Sequence, residues 1–186
     1  MGRHVVEDRL KRNNGVANRD RALASFEAIL GQALMLEPDE TELALAADFE
    51  ADARERGLEL DTGESQLLAI AINRACSLLL TGDKRAIRAI AAVCPGEVEK
   101  RVACLEQLIG QILRTVELPR VHTQVCSEPL TDKALSICFG CNAAGVDENS
   151  VTAGLRSYIN NLQADAAGVL LPGDSLAGLS QPNAAL

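Results

Sequence analysis

The stretch Leu60-Asp-Thr-Gly-Glu-Ser-Gln-Leu-Leu-Ala-Ile-Ala-Ile72, followed by Ser77-Leu-Leu-Leu-Thr-Gly-Asp-Lys-Arg85, decides how this chain is read. It describes an apolar helix that opens on a carboxylate, a short buried strand that returns, and a second carboxylate where the strand ends. A helix over Glu64–Ala75 rises about 1.5 Å per residue and so spans roughly 18 Å. A strand over Ser77–Gly82 rises about 3.3 Å per residue and covers roughly 20 Å on the way back. The two lengths nearly cancel, which predicts Glu64 and Asp83 at one edge of a sheet. That edge is the carboxyl end of the strand, where open α/β sheets bind ligands. Two acids meeting there point to a divalent cation such as Mg²⁺ or Mn²⁺, which takes hard oxygen ligands, often one or two carboxylates with waters.

Each acid also has a purely structural reading. Asp61 and Glu64 are spaced as a capping box, the first at the N-cap and the second three residues on. Asp83, after Thr81-Gly82, is a good N-cap for the helix that follows. Capping explains each acid alone, but it does not require the two to face each other.

Outward from this core, periodicity predicts a helix-rich α/β chain. Helices are expected over Asn18–Leu36 (Ala22, Phe26, Leu30 and Leu34 on one face) and Asp39–Arg56 (Leu43, Ala46 and Phe49 inward, acids outward). Gly57 serves as the stop of the latter. Further helices are expected over Asp83–Val93, Glu97–Val116, Asp132–Cys141 and Asn149–Leu162. The Ala-, Gly-, Ser- and Pro-containing stretch from Ala164 lacks strong period and is expected to be a flexible tail. Strands are few for a free-standing α/β domain.

Composition narrows the function classes. The chain has 186 residues and a net charge of −8. That charge is uneven: residues 37–64 carry −9 net and residues 65–120 carry +3. The overall field does not favour nucleic acid, though Lys84, Arg85 and Arg88 form a local basic cluster beside Asp83. One Tyr, three Phe and no Trp leave little for a base-stacking platform. No apolar run has the length of a membrane span and no signal peptide is legible, so a cytoplasmic protein is expected. The six cysteines are accordingly expected to be reduced. Cys76, Cys94 and Cys104 read as small core residues. Cys138-Phe-Gly-Cys141 is a CxxC pair, for which zinc would need His122 and Cys126. Their spacing matches no common zinc module, and structural cysteines are the plainer expectation.

Asp61-Thr-Gly-Glu64, the apolar run Leu67-Leu-Ala-Ile-Ala71 and Leu78-Leu-Leu-Thr-Gly-Asp83-Lys-Arg85 together resemble the latter half of a PIN-like nuclease domain. The resemblance covers residues 57–93, and more loosely 1–56. It implies a short parallel sheet and three or four acids around Mg²⁺ or Mn²⁺ that hydrolyse RNA. Carried over by position, Glu64 and Asp83 become metal ligands. Arg3-His-Val-Val-Glu7-Asp8 resembles the segment bearing an earlier acid, which makes Glu7 a third. Lys84 and Arg85 would then hold substrate phosphate. The family's first strand, ending in a central Asp, has no counterpart before residue 8. The resulting division is a PIN-like domain over 1–93 without its N-terminal strand, a mainly helical extension over 94–163, and a tail over 164–186. Two functions lead: a metal-dependent ribonuclease, and a non-catalytic helical protein that binds a protein partner or a second copy of itself; a zinc- or thiol-dependent regulator acting through Cys138 and Cys141 is a third.

Overall fold

The structure, a computed structural model, describes residues 16–143 and 145–176. Glu7 therefore lies outside the described residues. Eight helices and a two-stranded parallel sheet are formed among them, so the helix-rich α/β reading holds. No helix among the described residues is long and apolar enough to cross a membrane. The chain divides into two compact units, one of residues 1–37 with 117–151, the other of residues 38–116 with 152–186. This partition differs from the one read along the sequence, because segments distant in sequence pack together.

The larger unit begins with α2 (Glu40–Glu55) and α3 (Thr62–Asn73), which follow α1 of the other unit (Arg19–Leu30). Helix α2 starts at Asp39, whose side chain accepts from Glu42 N while Glu42 accepts from Asp39 N, a complete capping box. Its buried face is Glu42, Ala46, Phe49 and Ala53, one step round from the expected face: Leu43 is 44% exposed. The shift has an electrostatic cause. Glu42 is fully buried and takes Arg74 Nε on Oε1 at 2.7 Å and Arg74 Nη2 on Oε2 at 2.6 Å. Asn73 Nδ2 adds a bond to Oε1 at 3.2 Å and Asp39 N one to Oε2 at 2.9 Å. Four donors on one carboxylate meet the requirement that a buried charge be paired and hydrogen-bonded.

Glu42 thus joins the start of α2 to the end of α3, while Ser65 Oγ near the start of α3 donates to Glu50 Oε1 at 2.7 Å. The two helices run antiparallel. Helix α2 stops where the sequence marks it. Gly57 takes φ +68°, Leu58 N bonds Ala53 O at 2.8 Å and Gly57 N bonds Arg54 O at 3.1 Å, a Schellman closure. Helix α3 ends two residues earlier than expected. Ala75 adopts φ +49° and Cys76 N bonds back to Ala71 O.

Strand β1 (Leu79–Thr81) follows, then α4 (Lys84–Val93) and strand β2 (Val102–Cys104). The strands pair in parallel with Leu79 opposite Val102 and Thr81 opposite Cys104. The expected helix over Glu97–Val116 is corrected here. Val98, Val102, Leu105, Ile109 and Ile112 keep helical spacing, yet Lys100 sits at φ +52° and breaks the helix. Val102–Cys104 is instead a fully buried strand, and only α5 (Leu105–Leu113) is helical. A short, wholly apolar strand cannot be told from helix by period alone.

The expected tail is also different as far as Ser175. After α8 (Glu148–Ala166), Val169, Leu170 and Leu171 are buried, and Leu170 forms a parallel bridge with Val102. Val102 N bonds Val169 O at 3.0 Å and Leu171 N bonds Val102 O at 2.6 Å. Gln107 Nε2 then donates to Leu171 O at 2.7 Å and Gly173 O at 2.9 Å, while its Oε1 accepts from Cys104 N at 3.1 Å. One buried amide therefore satisfies three backbone groups and fixes this segment beside β2.

The smaller unit holds α1, α6 (Leu118–Cys126) and α7 (Lys133–Cys138). Helix α1 buries no residue, and it ends at Leu30, leaving Leu34 outside the helix and 84% exposed. Glu128 accepts from Ala17 N at 2.6 Å and Asn18 N at 2.8 Å. Cys126 and Cys141 are joined in a disulfide, which corrects the expectation that all six cysteines are reduced. The turn after α7 makes this possible. Gly140 at φ +54° lets Cys141 N reach Ser136 O at 3.1 Å and Gly140 N reach Ile137 O at 3.0 Å, turning Cys141 back toward α6.

The four bonds on Glu42 hold its carboxyl at a pKa of about 2, below its ordinary 4.5, with the Arg74 guanidinium the largest cause. A depressed acid contributes stability above the unfolded pKa and loses it as pH falls through the folded one. Glu42→Gln should lower Tm at pH 7, and the gap to the parent should close between about pH 4.5 and pH 2. Thermal melts across that range check this; a gap independent of pH would contradict it.

Candidate functional site

Both strands of the parallel sheet end at the same edge, and the chemistry of the larger unit collects there. Strand β1 leads through Gly82 to Asp83 and Lys84, and β2 leads to Leu105 and Glu106. The start of α3 brings Asp61 and Glu64 close enough for the charge of Asp83 to act on Glu64. The lengths of helix and strand differ from those read in the sequence: the helix is Thr62–Asn73 and the strand Leu79–Thr81.

The caps expected from sequence are in place. Asp61 Oδ1 accepts from Glu64 N at 2.9 Å, and Glu64 Oε2 accepts from Asp61 N at 3.3 Å. Asp83 Oδ1 accepts from Arg85 N at 2.8 Å and Ala86 N at 3.4 Å, capping α4. Capping leaves acceptor capacity on each acid: the Glu64 bond is long and uses one oxygen, and Asp83 Oδ2 takes only Arg85 Nη2 at 3.0 Å among the described residues.

The electrostatics of the two differ. Partial burial pushes the Glu64 carboxyl up, the Asp61 amide pulls it back, and the negative charges of Asp61 and Asp83 push it further up. Burial also pushes Asp83 up, but the Arg85 side chain and the Arg85 and Ala86 amides outweigh it, and its carboxyl lies below its ordinary value. The two acids are thus moved in opposite directions from their ordinary values, Glu64 by burial and like charge and Asp83 by its arginine and amides. Beside them is an open cleft of about 390 Å³ lined by Glu50, Arg54, Gly57, Leu58, Glu59, Leu60 and Asp61. Three of these are acids, so it suits a cation better than a phosphate.

The three cations expected to meet phosphate all have protein partners. Arg85 binds Asp83 and Glu59. Arg88 Nε lies 2.7 Å from Asp165 Oδ2, and its Nη2 lies 3.1 Å from Asn161 Oδ1. Lys84 Nζ lies 2.6 Å from Glu106 Oε1 and 5.6 Å from the centre of the Tyr158 ring.

Glu106 is the site residue the sequence did not disclose. It is 1% exposed, and the Lys84 ammonium pairs with its Oε1. Oε2 accepts no hydrogen bond among the described residues. An unbroken helix over Glu97–Val116 gives Glu106 no particular place; as the second residue after a buried strand, it lies at the sheet edge. Cys104 beside it is pushed up to about 11, by burial first and also by the Glu106 charge.

Comparison of the chain with family models, with curated proteins and with solved structures returns no match. Among the described residues, no three His, Cys, Asp or Glu side chains are placed to hold a metal.

The Lys84–Glu106 pair yields a stability test. Removing one partner of a buried pair leaves an uncompensated charge, at a cost of about 3–5 kcal/mol. Lys84→Met should approach that loss in urea unfolding, whereas Lys84→Met combined with Glu106→Gln should recover most of it. A single-variant loss below about 1 kcal/mol would show that the pair is solvated.

Proposed function

We propose that the chain is a metal-dependent ribonuclease of PIN-like type, with Glu64 and Asp83 as ligands for Mg²⁺ or Mn²⁺. The observation that carries this reading is the placement of Asp83 just beyond the carboxyl end of β1 in a parallel pair, with Glu64 in the first turn of the helix that precedes that strand. Two carboxylates with unused oxygens fit a cation that keeps several waters. Such a cation would polarise a phosphodiester and lower the pKa of an attacking water.

The chain's own residues have distinct tasks in this scheme. The Asp61 cap fixes the first turn of α3 and so orients Glu64. The amides of Arg85 and Ala86 fix Asp83, and together with the Arg85 side chain they hold its carboxyl below its ordinary value. Arg85, held by Asp83 and Glu59 at the surface, is the cation that can exchange a carboxylate partner for a phosphate oxygen. Lys84, drawn to buried Glu106, is better suited to positioning than to phosphate contact. Glu7 remains the proposed third acid.

A second reading has its own support. A non-catalytic protein with a protein partner or a second copy of itself is favoured by the apolar side chains of the smaller unit. Ile29, Leu34, Met35 and Leu36 are 65%, 84%, 54% and 41% exposed.

Asp83→Asn should abolish Mn²⁺-dependent cleavage of RNA, and Glu64→Gln should reduce it strongly. Glu64→Gln keeps a side chain that can close the capping box, so a folded but inactive variant is the expected result. Cleavage unaltered in Asp83→Asn would sink the nuclease assignment. No cleavage by the parent chain, with no Mn²⁺ uptake by calorimetry, would favour the second reading.

A further inference from the structure

The disulfide of the smaller unit lies within a fuller set of metal donors. Helix α6 carries His122 and Cys126 one turn apart, and His122 Nε2 lies 3.7 Å from Cys126 Sγ. Cys126 is bonded to Cys141, with the two Cα atoms 5.1 Å apart. Cys138 is the last residue of α7 and stands three positions before Cys141, across the left-handed turn at Gly140. Side chains of His, Cys and Cys are thus in contact, and a third Cys is tied to them by a turn of fixed geometry. Gly140 holds φ +54°, and a Cβ there would also clash with Val146 Cγ2, so this turn depends on glycine.

We propose that the reduced form of this cluster binds one Zn²⁺ through His122, Cys126, Cys138 and Cys141, and that the disulfide is its oxidised, metal-free state. His122-x3-Cys126 followed by Cys138-x2-Cys141 is no common zinc module, but three Cys and one His is an established donor set for structural zinc. Tetrahedral zinc with bonds of about 2.3 Å to sulfur and 2.0 Å to nitrogen places neighbouring S and N ligands roughly 3.6 Å apart. The observed 3.7 Å between Nε2 and Sγ matches that edge. Thiolates with imidazole select zinc over the hard cations proposed for Glu64 and Asp83. Among the described residues no three donors are placed to hold a metal, and reduction of the bridge would free the Cys126 and Cys141 thiols.

The exchange balances. Two molecules of a low-molecular-weight thiol break the Cys126–Cys141 bond and leave as their own disulfide, each protein sulfur gaining a proton. Zn²⁺ then displaces three thiol protons to solvent and takes a lone pair from each of three thiolates and one imidazole. In the reverse direction the low-molecular-weight disulfide takes two electrons from the Cys126 and Cys141 thiolates and leaves as two thiolates. These and the Cys138 thiolate regain protons from solvent, and Zn²⁺ is released. Among the described residues of the small unit few apolar side chains are buried, and either staple can stabilise it: a bridge closing 15 residues is worth about 3 kcal/mol, and structural zinc couples its binding directly to folding.

The test uses the full chain, reduced with a non-chelating phosphine and titrated with Zn²⁺ alone, alongside the oxidised chain. The reduced chain should take up one zinc and the oxidised chain none. Co²⁺ in its place should give the intense thiolate charge-transfer band of a tetrahedral site, falling by about a third in Cys138→Ser. His122→Ala should weaken zinc at least tenfold, and Cys76→Ser, outside the cluster, should leave it unchanged. No uptake by the reduced chain, folded or unfolded, overturns the proposal. So does equal uptake by the oxidised chain, or a Co²⁺ spectrum unaltered by Cys138→Ser. Manganese-dependent cleavage resides in the other unit and is not expected to follow the state of this bridge.

Discussion

The buried carboxylate of Glu42 is the constraint on which the larger unit turns. A charge with no exposed surface must be matched by donors, and Arg74, Asn73 and the Asp39 amide supply them. Matching it fixes which face of α2 turns inward and sets α2 antiparallel to α3. The far end of that helix pair then carries Glu59, Asp61 and Glu64. Had α2 turned Leu43 inward as its apolar pattern suggests, Glu42 would be solvated and α3 would lose its anchor at Arg74. The ion pair does not have to add stability over an apolar pair of the same shape to do this; it specifies one packing among several.

The second constraint is the parallel pairing of β1 with β2, extended by the bridge to Leu170. Parallel strands end at a common edge, so residues remote in sequence arrive there together: Asp83 and Lys84 after β1, Glu106 after β2. Gln107 fastens the third segment by satisfying Cys104 N, Leu171 O and Gly173 O. The result is an edge with unequal acids, one raised by burial and like charge and one lowered by an arginine and two amides.

Much of this edge was legible in the sequence because it is locally encoded. The capping box at Asp61 and Glu64, the cap at Asp83 and the stop at Gly57 follow from residue types at fixed offsets. What escaped the sequence depends on distant partners. Val102–Cys104 keeps the period of the helix after it, so β2 and buried Glu106 were hidden together. Val169–Leu171 is apolar but brief, and only its pairing with Val102 makes it part of the core. Lys84 looked like a phosphate ligand because its counter-charge lies 22 positions away. The disulfide was hidden for a similar reason: Cys126 and Cys141 meet only because of the turn at Gly140.

The central claim is that Glu64 and Asp83 share one electrostatic site able to hold a cation. A carboxyl-carbon NMR titration of Glu64, in the parent chain and in Asp83→Asn, tests it most directly. The account predicts that Glu64 titrates above its ordinary value in the parent, moves down in Asp83→Asn as the like charge is removed, and moves down in the parent when Mg²⁺ is added. A Glu64 titration that ignores both the substitution and the ion would contradict it.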